Sequence, residues 1–141
     1  MANDMVRTKE PGQDVTGQAT AAVIGKRCVR ISGARAYKFN QLAGTADGNN
    51  YKVAHAAAGG AVFGVSKYDQ PTIGGKVGVA RGGIAPITCA ANILAGQRVM
   101  SDATGQVIPW ASAASEANVA VGVAVDDALS GTDCEVALNI G

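Results

Sequence analysis

Residues 61–69 read AVFGVSKYD, and residues 119–127 read VAVGVAVDD. Both phrases place Gly fourth, Val fifth and Asp ninth. In the second, Val119, Val121, Val123 and Val125 alternate strictly with Ala120, Gly122 and Ala124. A period of two held over seven residues marks a β-strand, because successive side chains on an extended chain leave opposite sides of it. The closing Asp is a turn residue, whose carboxylate accepts hydrogen bonds from nearby backbone. The phrase is therefore a strand entering a turn, and a chain that writes it twice is committed to β-structure. With the four valines directed at a core, Ala120, Gly122 and Ala124 are expected to form a face small enough for another subunit to approach closely.

The same pattern recurs along the chain. RCVRIS sets Val29 and Ile31 against Arg30 and Ser32, and AYKF sets Tyr37 and Phe39 against Lys38. KVGVA alternates Val77 and Val79 with Lys76 and Gly78, and YKVA carries Tyr51 and Val53. CEVALNI sets Cys134, Val136, Leu138 and Ile140 against Glu135, Ala137 and Asn139. In IAPI, Pro86 lacks a backbone donor and confines its strand to a sheet edge or a bulge. Val99 and Val107 lie on strands joined by a turn at residues 102–105. Only WASAASEAN, residues 110–118, has a helical composition; without a cap or an apolar face it is expected as a loop with at most one short helix. Gly supplies 19 of 141 residues, nearly twice its usual share of about 7%, as tight turns between short strands require. About ten short strands at regular spacing predict an all-β fold, a small β-barrel or sandwich with little helix. Residues 19–141 are expected to form that single domain. Residues 1–18 are polar and without periodicity, either a loose tail or an extended N-terminal arm that orders on a neighbour.

Charge excludes more than it suggests. Twelve basic and eleven acidic residues leave +1, with basic residues clustered only at Lys26, Arg27 and Arg30 and nearby at Arg35 and Lys38. That pattern suits the solvated face of a strand and gives no reason to expect a nucleic-acid partner. Cys28, Cys89 and Cys134 are odd in number and lack CxxC spacing, which speaks against a disulfide framework or a thiolate zinc site. They read as small apolar residues of a protein made in a reducing compartment. The N-terminus has no apolar h-region and no stretch approaches 18 apolar residues, so neither a secretory signal nor a membrane span is expected.

Catalytic chemistry finds little to work with. His55 is the one histidine, with no nucleophile motif beside it. Neither Gly25-Lys26 nor Gly75-Lys76 is followed by the Ser or Thr of a phosphate loop. Asp126 and Asp127 are adjacent, so on an extended chain they point apart and make a poor acid–base pair. The acidic turns DGNN and DATGQ suit turn chemistry better than calcium. Trp110, beside Pro109, suits packing or an interface anchor. No catalytic residue, cofactor or metal is expected, and the chain does not read as an enzyme.

Larger phrases add a resemblance. VIGKRCVRISG (23–33), VFGVSKYD and GGKVGVARGGIAPI within 62–87, ILAGQRVMSDATGQVIP (93–109) and ANVAVGVAVDDALSGTDCEVALNI (117–140) together resemble the head decoration, or capsid cement, proteins of tailed bacteriophages. This is the small β-domain family encoded beside the major capsid protein. The resemblance implies a β-barrel-like domain that assembles as a homotrimer on the outer surface of the head, its partners being the major capsid protein and further copies of itself. Such trimers clamp the lattice against the pressure of packaged DNA. It implies a virion protein synthesised in the host cytoplasm, with no catalytic residue. It favours an arm for residues 1–18, with Met5, Val6, Arg7 and Val15 as expected capsid contacts. Trp110, Ala120, Gly122 and Ala124 are the expected subunit-interface residues. The alternative of another class is a carbohydrate- or receptor-binding β-module on a virion or cell surface.

Overall fold

The computed structural model describes residues 14–35, 50–111 and 120–139, and every regular element among them is a strand. In chain order these are β1 (Val15–Ala19), β2 (Cys28–Gly33), β3 (Tyr51–His55), β4 (Gly64–Ser66), β5 (Lys76–Ala80), β6 (Ile84–Thr88), β7 (Arg98–Ser101), β8 (Val107–Pro109), β9 (Gly122–Ala124) and β10 (Asp133–Leu138). The first five close a barrel in the order β1-β3-β2-β4-β5, and the last five form a sheet in the order β6-β10-β9-β7-β8. The expected all-β fold of about ten short strands is what forms.

The two sets of strands follow one plan. β1 pairs antiparallel with β5, β5 with β4, β4 with β2 and β2 with β3; β6, β10, β9, β7 and β8 repeat those pairings in that sequence. Even the parallel seam recurs: β1 and β3 pair over three residues, and Cys89 bridges Val107 in parallel. The turn hydrogen bonds coincide as well. Val23 and Gln70 exchange both backbone bonds at 2.8 Å, and Ile93 and Ala128 do the same at 2.9 Å. Asp69 Oδ1 accepts from Gly25 N at 2.7 Å, and Asp127 Oδ1 accepts from Ala95 N at 2.8 Å. The aspartates that close the two echoing phrases therefore pin the same turn, once in each unit. Lys26 and Gly96 fall at matching positions, and both have positive φ, 57° and 86°. The chain is a tandem pair of five-stranded units, and the repeated phrase is its most legible trace.

A five-stranded barrel is narrow, which explains the composition. Barrel diameter grows with strand number, and this interior is filled by Val15, Ala19, Val23, Val29, Val53, Val77 and Val79. A Cβ on Gly17 would already lie 2.8 Å from Val53 Cγ2. Aromatics stay at the margin: Tyr51 and Phe63 pack on the cluster with ring centroids 5.4 Å apart. Each buried Val contributes roughly 1.5–3 kcal/mol, so the short strands hold their core without large side chains. Pro86 lies on β6, which in its sheet pairs only with β10, the edge position expected of it.

Several faces differ from expectation. Ile31, expected beside Val29 in the core, is exposed where β2 shifts register between Ile31 and Gly33. In β9 the inward residues are Gly122 and Ala124, while Val123 and Val125 point outward. The reason is steric: a Cβ at Gly122 would collide with the carbonyl oxygen of Ala137, and one at Gly64, its counterpart, would lie 2.7 Å from that of Ala80. Val15, expected as a capsid contact, is instead inside the barrel at 4% exposure. The last residues of the expected arm, Val15 to Gln18, are thus the body of β1, because their alternation matches β5. Met5, Val6, Arg7, the AYKF stretch and most of WASAASEAN lie outside the described residues.

Candidate interaction surface

His55, Asp102 and the three cysteines are engaged in holding the fold. His55 Nε2 accepts the backbone N–H of Ile24 at 2.9 Å. Burial, then the nearby Arg27 charge, holds its pKa below the usual 6.5. Asp102 Oδ1 accepts from Thr104 N, Thr104 Oγ1 and Gln106 N at 2.8 to 3.0 Å, so its turn is closed on itself. Cys28, Cys89 and Cys134 are buried free thiols. Burial, with a smaller effect of Asp102, pushes Cys28 up to about 12, far from a reactive thiolate. Cys89 Sγ donates to the carbonyls of Leu129 and Thr132. Among the described residues no three His, Cys, Asp or Glu side chains gather as metal ligands.

What the fold does present is surfaces, and the two units treat equivalent surfaces differently. On the outside of the first unit, Cys28, Val65 and Ala80 form a row across β2, β4 and β5. Ala56 extends it, its N–H donating to Cys28 O at 2.9 Å. This row is covered: Cys28, Ala56 and Val65 belong to the core of the second unit, packed with Ile87, Val99 and Val107. The edges of the contact are polar. Cys28 N donates to Gly105 O at 2.7 Å, Thr88 N to Lys26 O at 3.0 Å, and Gly59 N to Ser101 O at 2.9 Å. Lys26 Nζ meets Asp133 Oδ2 at 2.7 Å.

On the outside of the second unit the same row reads Arg98, Val123, Ala137 and Ile84 across β7, β9, β10 and β6. Trp110 takes the place of Ala56, its backbone N–H donating to Arg98 O at 2.8 Å. The Arg98 guanidinium lies 4.5 Å over the Trp110 ring, a cation–π contact. The Trp110 indole N–H is buried with no hydrogen-bond partner among the described residues. Nothing among the described residues covers the row: Ile84 is 63% and Val123 40% exposed. The other expected interface residues divide. Trp110 lies at this surface, Ala120 is half-buried, and Gly122 and Ala124 face the interior. Of the valines that alternate with them, Val121 is buried in the core as expected, and Val123 and Val125 are the exposed ones. Arg98 escaped the sequence reading, and Val123, expected in the core, is exposed; the signal was the echo itself, which aligns Val123 with Val65.

A groove of about 300 Å³ runs between the two units, lined by Val65, Ala80, Ile84, Pro86, Lys26 and Lys67 among others. Both lysines are already paired, Lys26 with Asp133 and Lys67 with Asp14.

Comparison with known proteins places the molecule. The family model for phage cement proteins matches residues 6–140. Among solved structures, the head fiber gp8.5 N base of bacteriophage phi29 shares the fold, with a TM-score of 0.65 at 15% identity over 92% of this chain and 95% of that one. No curated protein matches the chain significantly.

Proposed function

Because the chain belongs to the phage cement protein family, we propose that it binds the outer surface of the phage head as a homotrimer and braces the capsid lattice against the pressure of packaged DNA. The family match over almost the whole chain carries this reading. The geometry supports it: the second of two small packed units exposes an apolar row, and His55, Asp102 and the three cysteines are tied up in turns and cores. A brace works by area multiplied through symmetry and multivalency, so weak contacts with the major capsid protein suffice when every trimer makes several. Free thiols suit assembly in the reducing host cytoplasm. Residues 1–13, carrying Met5, Val6 and Arg7, are the proposed arm that grips the capsid.

The test is co-sedimentation of the purified protein with expanded shells of the adjacent capsid protein, followed by heating. Saturable binding and shells that survive higher temperature are the expected result. The arm is tested by deleting residues 1–13. Deleting through Gln18 would also remove β1 and break the barrel, so loss of binding would then mean nothing. Absence of binding at micromolar protein overturns the cement reading and directs attention to glycans and receptors.

A further inference from the structure

We infer that the exposed outer row of the second unit, Ile84, Val123 and Arg98 with Trp110, is where a second copy of this chain docks, contributing its first unit head to tail. The inference rests on the self-association in the proposed function and names the surface that makes it. Its ground is the molecule's own internal contact. One unit of this fold already docks on the matching row of another: Cys28, Ala56 and Val65 are buried to 0%, 1% and 3% by the second unit. The second unit carries the same row on the matching strands, apolar at Val123 and also at Ile84, where the first unit has Asp14, and leaves it open. Ile84 also lines the groove beside Val65, so the open row continues the established contact without a break.

The substitutions between the rows fit a different partner surface. Within the chain, small Cys28 and Ala56 enter a seam that the second unit leaves nearly unzipped, with Cys28 N bonded to Gly105 O and Thr88 N to Lys26 O. The seam of the first unit is shut by three parallel β1–β3 pairs. A side chain cannot enter it, and a broad one lies across it instead. Arg98 stacked on Trp110 is such a lid, and aromatic and Arg side chains are the common anchors of interface centres. Charge agrees. Asp133, which meets Lys26 across the internal contact, has Lys76 as its counterpart on the first unit. Beside Gly96, the counterpart of Lys26, lie the exposed carboxylates of Asp126 and Asp127. The sign of the rim pair is reversed and its complementarity kept. A contact that joins the second unit of one copy to the first unit of the next is heterologous, the type that closes into rings.

The experiment uses the full chain. Val123→Lys and Ile84→Lys place a charge in the row on side chains that already point to solvent, so circular dichroism should show an unchanged fold. Leu129→Lys, 68% exposed in the second unit before β10 and not part of the row, serves as the control. Light scattering after gel filtration should show the wild type and the control as oligomers, and each row variant dissociating at concentrations about tenfold or more higher than wild type. A photo-reactive p-benzoylphenylalanine in place of Val123, in a mixture of light and ¹⁵N-labelled chains, should give inter-chain products mapping to residues 14–80. The same cross-linking is run on shells. Row variants that assemble like wild type, inter-chain products mapping to residues 84–138, or no inter-chain product in solution or on shells would each overturn the inference. Shell co-sedimentation is scored separately: oligomers that ignore shells sink the cement reading and leave this one standing.

Discussion

The first unit is a closed barrel and the second an opened copy of it, and the difference lies in a few residues at one seam. β1 and β3 are zipped by Gly17, Gln18 and Ala19 against Tyr51, Lys52 and Val53. In the second unit that zip is reduced to Cys89 and Val107, and residues Lys26 to Cys28 of the first unit take up the freed backbone groups of Thr88 and Gly105. Splitting a seam leaves N–H and C=O groups that must find partners or carry a large desolvation penalty. Here another unit supplies them, together with three small apolar side chains. One topology thus serves as a self-contained barrel and as a socket, depending on whether its seam is satisfied from within or by a neighbour.

Substitutions at paired positions test this comparison. The largest effect is expected at the crossing glycines. Gly122→Ala should cost about 3 kcal/mol, at the top of the range for overpacking, because its Cβ meets a backbone carbonyl that cannot rotate away; Gly64→Ala, with slightly more room, should cost about 1–3 kcal/mol. Urea unfolding measures both, and a larger loss at Gly64 would mean that the closed barrel is the tighter unit.

Next comes the pair of row valines. Val65→Ala removes a side chain from the inter-unit core and should destabilise by about 2 kcal/mol, whereas Val123→Ala in the dissociated chain should stay within about 0.5 kcal/mol. Equal losses would break the claim that one row is covered and the other open. Electrostatic effects follow. His55 has a lowered pKa in the fold, so as pH falls the unfolded chain takes up its proton first. Stability attributable to this group is therefore complete above pH 6.5 and is lost as pH drops from there through the folded value. Thermal melts from pH 8 to 5 should show the decline, flattened in His55→Gln. The second unit carries Pro109 at the matching position and contributes no such dependence. The smallest effect belongs to the half-exposed Lys26–Asp133 pair, where Asp133→Asn should cost no more than about 1 kcal/mol and less in high salt.

Much of the site was legible once the echo was taken as alignment as well as turn chemistry. Gly64 and Gly122, Val65 and Val123, Asp69 and Asp127 stand at the same places in the two phrases. The preceding turns share less: VIGK and ILAG keep only two apolar residues and a small one, too little to announce a repeat. Arg98 and Trp110 were harder still, since nothing local distinguishes an Arg solvated on a strand from one lying over a ring two strands of sequence away.

What the sequence by itself determined was strand and turn. Alternation in KVGVA and CEVALNI, Pro86 at an edge, and the aspartates that pin the turns follow from the two-residue period and from local hydrogen bonding, which act within a few residues. Which side of a strand becomes interior was decided only in three dimensions. Alternation defines two faces of β9 without ranking them, and hydrophobicity favoured the valines. Gly122 and Ala124 won the inside because β10 passes too close for a larger side chain. Val65 is buried and Val123 is not because one unit has a neighbour in the same chain and the other does not. Burial is a property of what stands opposite, and that is set by chain path and not by the residue.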